Sequence, residues 1–267
     1  MMRKLPFIAL MLLTILVLFG GCKRRSIITE MGLGFDTLRT DTTALLVDST
    51  VSPRSTVHIE LVTLRGDAYR QLTDSLLRSG VLQPDYLSLT TQSLTPKECV
   101  DSFMRHYVDD YREFYGNLFT EENDTSSLSI GYDLRTEIEE GRGDVLCHIS
   151  HVTRREGKLS TTYTLVRNMD MKGNRILNMD DVFVAGYTNA LNEAIQNKLM
   201  DMAGVKSMNA LREAGYFVNS EVYATSNFML GEKKLSLIYV TGEIADRAKG
   251  EIRVDISYGD LKSILKQ

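Results

Sequence analysis

The chain has 267 residues, of which 43% are hydrophobic and 25% are charged, and its formal net charge at pH 7 is −4. This apolar fraction is ordinary for a folded protein, and the length is sufficient for one large core or two small ones. Nucleic-acid binding is disfavoured, because contacts to phosphates need a concentrated basic surface and this acidic sequence shows none.

The N-terminus has the layout of a secretory signal. Arg3 and Lys4 precede an apolar run over residues 5–19, and a charged segment followed by an apolar one is typical of an export signal. The run is short for a membrane-spanning helix, which needs about 20 apolar residues. It is followed by a Gly-Gly-Cys sequence that ends at Cys22, which resembles the cleavage site of a bacterial lipoprotein.

We therefore predict that residues 1–21 are a lipoprotein signal peptide and that Cys22 carries the lipid. The lipid would anchor the protein to a membrane of the bacterial cell envelope, facing the periplasm, and Lys23 favours the outer membrane over the inner one. The alternative is an uncleaved anchor, which the basic residues 23–25 favour because such residues tend to remain on the cytoplasmic side. Residues 22–54 are rich in Thr, Ser, Asp and Arg without periodicity, and they are predicted to form a flexible tether.

Residues 55–167 are predicted to form an N-terminal α+β region. It begins with a strand around Ile59 and a helix over residues 66–78. Thr95 followed by Pro96 is typical of a helix N-terminus, because Pro fits the first helical position. The helix is predicted to continue to about Tyr115, with large apolar side chains on one side.

A series of strands follows the long helix. Apolar and polar residues alternate over residues 128–138, and further strand patterns cover residues 145–152 and 159–167. Glycine-containing turns separate them, which predicts an antiparallel meander.

Residues 168–267 are predicted to form a second region. Asn178 precedes a long helix, and a shorter helix covers residues 207–214. Strands are predicted over residues 222–230, 235–239 and 252–256, with a short helix at residues 243–248 and a last helix at residues 260–266. The fold class is therefore α+β, with mostly antiparallel sheet, helices packed on one face and two lobes.

Two cysteines remain once Cys22 is lipidated. Cys99 and Cys147 are an even number in an oxidising compartment, so a disulfide that staples the long helix to the strands is one interpretation. The alternative is a pair of buried thiols, which behave as small apolar groups.

The sequence predicts no metal site, no cofactor and no catalytic residue. Cys99 and His106 are separated by about 10 Å along a helix, and Cys147 and His151 by about 13 Å along a strand, so their side chains do not converge on one metal. His148 and His151 should point to opposite faces of their strand. We therefore interpret the chain as a protein that is not an enzyme.

One stretch carries a family resemblance. Glu243-Ile244-Ala245, Ala248 and Gly250, followed by the alternating apolar residues 252–258, resemble the C-terminal domain of the RsiV-like family. That family's domain of unknown function forms the lysozyme-sensing part of the sigma-V anti-sigma factor. It also occurs beside a peptidoglycan deacetylase domain and in stand-alone envelope lipoproteins.

The resemblance implies an envelope lipoprotein that binds a macromolecule such as peptidoglycan or a lysozyme-like protein. A cell-wall-modifying enzyme and a structural or assembly lipoprotein are the alternatives. Two features depart from the family. Gly242 and Arg247 replace aromatic residues, and residues 158–179 lack the family's Gly-Gly-Ala-His segment.

Overall fold

The structure is a computed structural model that describes residues 26–49, 51–120, 122 and 125–266. The chain divides into two compact units, Met1–Leu33 and Gly34–Gln267. The described part of the first unit contains helix α1 (Ile27–Glu30), whose N-terminus is capped by the Ser26 side chain. The predicted signal peptide and Cys22 lie outside the described residues.

The second unit contains a mixed six-stranded sheet. Its strands are joined in chain order, and every neighbouring pair is antiparallel except β2 and β3, which are parallel. The strands are β1 (Phe35–Leu45), β2 (Arg54–Leu64), β3 (Ile130–Glu140), β4 (Val145–Glu156), β5 (Leu159–Asp170) and β6 (Arg175–Leu177).

The parallel pair requires a long crossover, and helices α2 (Arg70–Leu76) and α3 (Pro96–Gly116) supply it. Short 3₁₀ turns at Asp67–Tyr69 and Tyr86–Leu89 accompany them. Helix α3 begins where the sequence predicted, because Thr95 and Glu98 form a capping box. Its Phe103 ring lies 4.9 Å from the Tyr132 ring of β3, so the helix packs on that face of the sheet.

The remaining elements form a second layer with a small antiparallel sheet. They are α4 (Met179–Val182), α5 (Thr188–Ala203), α6 (Met208–Glu213), β7 (Phe228–Leu230), β8 (Lys234–Tyr239), β9 (Ile252–Ser257) and a 3₁₀ turn at Arg247–Lys249. Strand β7 lies beside β4 and β5. Val145, Cys147, Ile149 and Val166 of the large sheet belong to the same buried cluster as the small sheet's apolar residues, so the two sheets share a core.

The predicted α+β class is confirmed, and several predicted elements are corrected. The segment predicted as a tether contains β1, an edge strand whose weak burial alternation gave the sequence no periodic signal. Residues 243–246 are not helical, and the short helix predicted at residues 243–248 is reduced to the 3₁₀ turn at Arg247–Lys249. The predicted C-terminal helix at residues 260–266 is a series of turns. The predicted boundary at residue 167 falls within β5. In the described part of the chain, no helix has the length and apolar character needed to cross a membrane.

Candidate functional site: an arginine-lined cleft

A cleft of about 670 Å³ opens between three segments of the second unit. One wall is the outer half of β5, the second is the chain just after α2, and the third is the end of β8. We call it the arginine cleft because three arginines line it: Arg78, Arg154 and Arg167.

Strand alternation brings the β5 side chains to this cleft. Thr161, Tyr163, Leu165 and Arg167 are spaced two residues apart, so they lie on one face of the strand. That face also carries helix α3 further across the sheet, because Tyr132, which contacts α3, pairs with Arg154, and Arg154 pairs with Thr161. Arg167 is the last residue of this row, so its charged side chain occupies a half-buried position.

Arg167 is held by backbone oxygens. Its Nε donates to Ser79 O at 2.8 Å and to Ser79 Oγ at 3.1 Å, its Nη2 also donates to Ser79 O, and its Nη1 donates to Val166 O at 2.9 Å. Among the residues that the structure describes, no carboxylate forms an ion pair with it. Burial lowers the pKa of this guanidinium below its usual value, although it remains charged at neutral pH.

The other two arginines of the cleft are already paired. The Nε of Arg78 lies 3.1 Å from Asp74 Oδ2, and its Nη1 donates to Leu87 O and Thr90 O at 2.8 and 2.7 Å. Arg154 contacts Glu156 with an Nη2–Oε1 distance of 3.2 Å. Arg167 is therefore the one arginine of this lining that has no ion pair within the described residues.

A second groove of about 570 Å³ continues from the cleft. It shares Arg154, Thr161 and Tyr163 with the cleft and adds Arg247. An Arg247 nitrogen lies 3.5 Å from Thr161 Oγ1, and this arginine has no ion pair within the described residues. Among their described lining residues, the two openings together have four arginines and two carboxylates, Asp85 and Glu156.

Several polar groups of the cleft have no hydrogen-bond partner within the described part of the protein. They are the Gln83 amide, the Tyr163 hydroxyl and the Thr241 hydroxyl, all of which line the opening. Burial raises the pKa of Tyr163, so it remains a neutral donor. Among the described residues of the lining, the only carboxylate is that of the exposed Asp85, which accepts a hydrogen bond from Ser88 N at 3.2 Å. This set of groups can bind an anion, and it offers no paired acid and base.

The C-terminal third of the chain contains a match to a known family. Residues 180–259 match the model of a family described as a protein of unknown function, DUF3298. The chain carries a DUF3298 domain. The domain supplies Val240, Thr241 and Arg247, whereas the other cleft arginines precede it.

Two solved structures resemble the protein over most of its length. A DUF3298 family member from Bacteroides fragilis NCTC 9343 has a TM-score of 0.76 and 23% identity, and the match covers 88% of this chain and 94% of that one. A DUF3298 family protein from Pseudomonas aeruginosa PAO1 has a TM-score of 0.59 and 15% identity, with the same coverage. At these identities the likeness concerns the fold. No curated protein matches the sequence.

The predicted disulfide is absent from this structure. Cys99 and Cys147 are both buried and both free. Cys99 lies on α3, which covers one face of the large sheet, whereas Cys147 faces the DUF3298 domain and its Sγ lies 3.4 Å from Asn168 Oδ1. Both cysteines are buried as the disulfide interpretation required, but they lie at opposite covered faces of the large sheet. Burial raises the pKa of Cys147 to about 12 and that of Cys99 to about 11, as in the alternative of two buried thiols.

The histidines are placed as the strand pattern predicts. His148 is fully buried on the helix-covered face, with Nε2 3.0 Å from Val62 O, and His151 lies exposed on the other face. His106 accompanies Ser102 on helix α3, with Nδ1 2.8 Å from its carbonyl. Within the described ranges no three His, Cys, Asp or Glu side chains form a metal-binding group.

One row of residues was not singled out from the sequence. Thr164 Oγ1 lies 3.4 Å from His151 Nδ1, and His151 Nε2 lies 3.3 Å from Glu137 Oε1. The order of residue types resembles a hydrolase triad, but both distances exceed the usual contact between nucleophile and base. The row lies on an exposed sheet face and does not line the arginine cleft.

The arginine cleft itself was also missed at the level of sequence. Its walls come from residues 78–85, 154–167 and 240–241, and nothing in the sequence links these segments. The available signal was Arg167, which ends an alternating row of strand residues on the side that should face the helices.

Proposed function

We propose that this protein is a non-catalytic lipoprotein of the bacterial cell envelope that binds peptidoglycan in the arginine cleft. The lipid on Cys22 would hold it at the membrane, facing the periplasm, with the outer membrane favoured. The observation that carries the binding role is Arg167, a half-buried guanidinium without a carboxylate partner among the described residues. A buried charge without an opposite charge is costly, and an anionic ligand would relieve that cost.

Peptidoglycan supplies the matching chemistry. Its stem peptides carry free carboxylates, and arginine binds carboxylates through two parallel hydrogen bonds. The cleft also presents unpaired hydroxyl and amide groups that suit a peptide backbone. A non-catalytic role is favoured because Asp85 is the one carboxylate among the lining residues that the structure describes, and it is exposed.

A lysozyme-like protein is the second candidate ligand. It is favoured by the resemblance of residues 243–258 to the RsiV-like family, whose members include a lysozyme sensor. The same stretch forms β9 and the turns that place Arg247 beside the cleft.

The lipid anchor is tested by metabolic labelling. Cells expressing the full chain and its Cys22→Ala variant are grown with a clickable fatty acid. We expect label on the wild-type protein and none on the variant, because Cys22 is the attachment site. An unlabelled wild-type protein would contradict the lipoprotein assignment.

Ligand binding is tested by co-sedimentation of the full-length protein, in detergent, with purified sacculi. Arg167→Gln should reduce retention by about tenfold or more, since a charge-assisted pair is lost. Arg155→Gln is the matched control, because it removes the same charge from the opposite face of the same sheet. Retention on immobilised lysozyme but not on sacculi would favour the second candidate, and retention on neither would exclude both.

A further inference from the structure

We propose that the arginine cleft recognises one free terminal carboxylate of a short peptide, held on the Nη1 and Nη2 edge of Arg167. This proposal rests on the proposed function, because it names the part of the cell-wall polymer that the cleft would read. The geometry of one guanidinium, one glycine and three polar groups carries it.

The hydrogen-bond count of Arg167 leaves one edge open. A guanidinium has five N–H donors. The Nε and Nη2 edge holds Ser79 O, and one hydrogen of Nη1 goes to Val166 O. One N–H therefore remains on each of Nη1 and Nη2. A carboxylate accepts from one N–H on each of these two nitrogens in a bidentate pair.

Gly80 lies beside this edge. A Cβ at this position would lie 3.4 Å from Arg167 Nη2 and 3.1 Å from Gln83 Nε2. The residue also has a φ of +93°, which favours glycine. The chain after α2 thus supports Arg167 from one side through Ser79 while leaving its outer edge accessible.

The charge balance favours a carboxylate over a phosphate. Arg78 and Arg154 pair with Asp74 and Glu156, and the exposed Asp85 also lines the cleft, so the negative charge already present repels a dianion more than a monoanion. Arg167 keeps one positive charge that no ion pair offsets among the described residues. A carboxylate carries one negative charge and neutralises it. A phosphate monoester carries between one and two negative charges at neutral pH, and the excess would stay desolvated without a partner.

The neighbouring groups favour a peptide as the carrier of this carboxylate. Gln83, Tyr163 and Thr241 line the same opening and offer both donors and acceptors without partners among the described residues. Leu165 and Val240 add apolar surface for a small side chain. Amide groups next to the carboxylate would satisfy these polar groups, as they do in other sites that fix orientation with a few polar contacts.

The test compares two probes on the full-length wild-type protein in detergent by titration calorimetry. The first is N-acetyl-D-alanyl-D-alanine, which ends in a free carboxylate, and the second is its C-terminal amide. We expect the acid to bind at least about tenfold more tightly, because the amide cannot form the charged pair. Arg167→Gln should remove this difference, Arg155→Gln should keep it, and inorganic phosphate at equal concentration should not displace the acid.

The outcomes separate this inference from the proposed function. Equal binding of acid and amide, binding of neither, or displacement by phosphate would overturn it, and the wild-type comparison needs no variant to fold. Retention on sacculi with equal binding of both probes would keep the function and remove the carboxylate site. Selective binding of the acid without retention on sacculi, or without competition against sacculi, would keep the site and assign it to free peptides.

Discussion

His148 is a buried histidine, and its burial should make the free energy of unfolding depend on pH. It is fully buried with Nε2 3.0 Å from Val62 O, and burial lowers its pKa from 6.5 to about 4. The unfolded chain therefore takes up this proton at a higher pH than the folded chain. The free energy of unfolding should fall as the pH decreases from about 6.5 to about 4, by roughly 3 kcal/mol for this group.

Denaturant unfolding at pH 7 and pH 4.5 measures this effect. In His148→Gln, the loss of stability between the two pH values should be smaller than in the wild type, since the titrating group is gone. His151→Gln is the control, because that histidine is exposed. Equal pH dependence in the wild type and His148→Gln would contradict the assignment.

Gly141 marks a close approach between the two sheets. It follows β3 at the turn into β4, and a Cβ there would collide with Leu230 O and lie 3.0 Å from Cys147 Sγ. We expect Gly141→Ala to lower the free energy of unfolding by about 1–3 kcal/mol through overpacking.

The matched control for Gly141→Ala is the same substitution at Gly116. This glycine ends α3, and a Cβ there meets nothing within 4 Å. Gly116→Ala should leave stability unchanged or raise it by up to about 1 kcal/mol. Similar destabilisation in both variants would show that the close approach at Gly141 is not the cause.

At the scale of elements, side-chain amides join β5 to the small sheet. Asn227 Oδ1 accepts from Val166 N at 2.8 Å, and its Nδ2 donates to Thr164 O and Ile238 O at 2.7 and 3.0 Å. Asn168 bonds the backbone of β7 in the same way, at 2.8 Å to Leu230 N and Phe228 O. These amides replace the backbone ladder that a further strand would supply on the β5 edge.

Asn227→Ala tests this joint. The substitution would leave three backbone groups without partners in a buried region, so we expect a loss of about 2–4 kcal/mol in the free energy of unfolding. Asn117→Ala is the control, because Asn117 is exposed and makes a single 3.3 Å contact to Glu113 O. A loss below 1 kcal/mol in Asn227→Ala would mean that apolar packing alone joins the sheets.

The sequence predicted those elements whose signals are local. The capping boxes at Thr95 and Asn178 mark two helix starts, as predicted. The long helix predicted after Asn178 is however interrupted, because α4 ends at Val182 and α5 begins only at Thr188. Strand β1 escaped prediction because an edge strand needs little apolar alternation. The parallel pairing of β2 with β3 is set by a crossover of more than sixty residues, between Leu64 and Ile130, which no local pattern records.

For the candidate site, the sequence predicted only which side chains would not lie together. Spacing correctly separated His148 from His151, because alternation in a strand is a local rule. The disulfide interpretation failed because two inner faces exist, and the sequence does not tell one from the other. The place of Arg167 in the cleft could not be predicted, because tertiary packing brings Ser79 and Thr241 to it from distant parts of the chain.

At the scale of the whole molecule, the shared core should make the second unit unfold as one body. Residues of the large sheet, such as Val166, and of the small sheet, such as Leu237, lie in one buried cluster. Exposing either sheet would therefore expose apolar surface of the other. We expect a single calorimetric transition for Gly34–Gln267, although chains of this length often show more than one.

Two leucine substitutions provide the measurement. Leu134 in β3 and Leu237 in β8 are both fully buried, so each Leu→Ala change should cost about 2–5 kcal/mol. Each should move the same transition, by roughly 2–4 °C per kcal/mol for a unit of this size. Leu159→Ala is the control, because that side chain is 75% exposed. Two separate transitions, each moved by only one of the variants, would instead establish two independent lobes and place the arginine cleft at their junction.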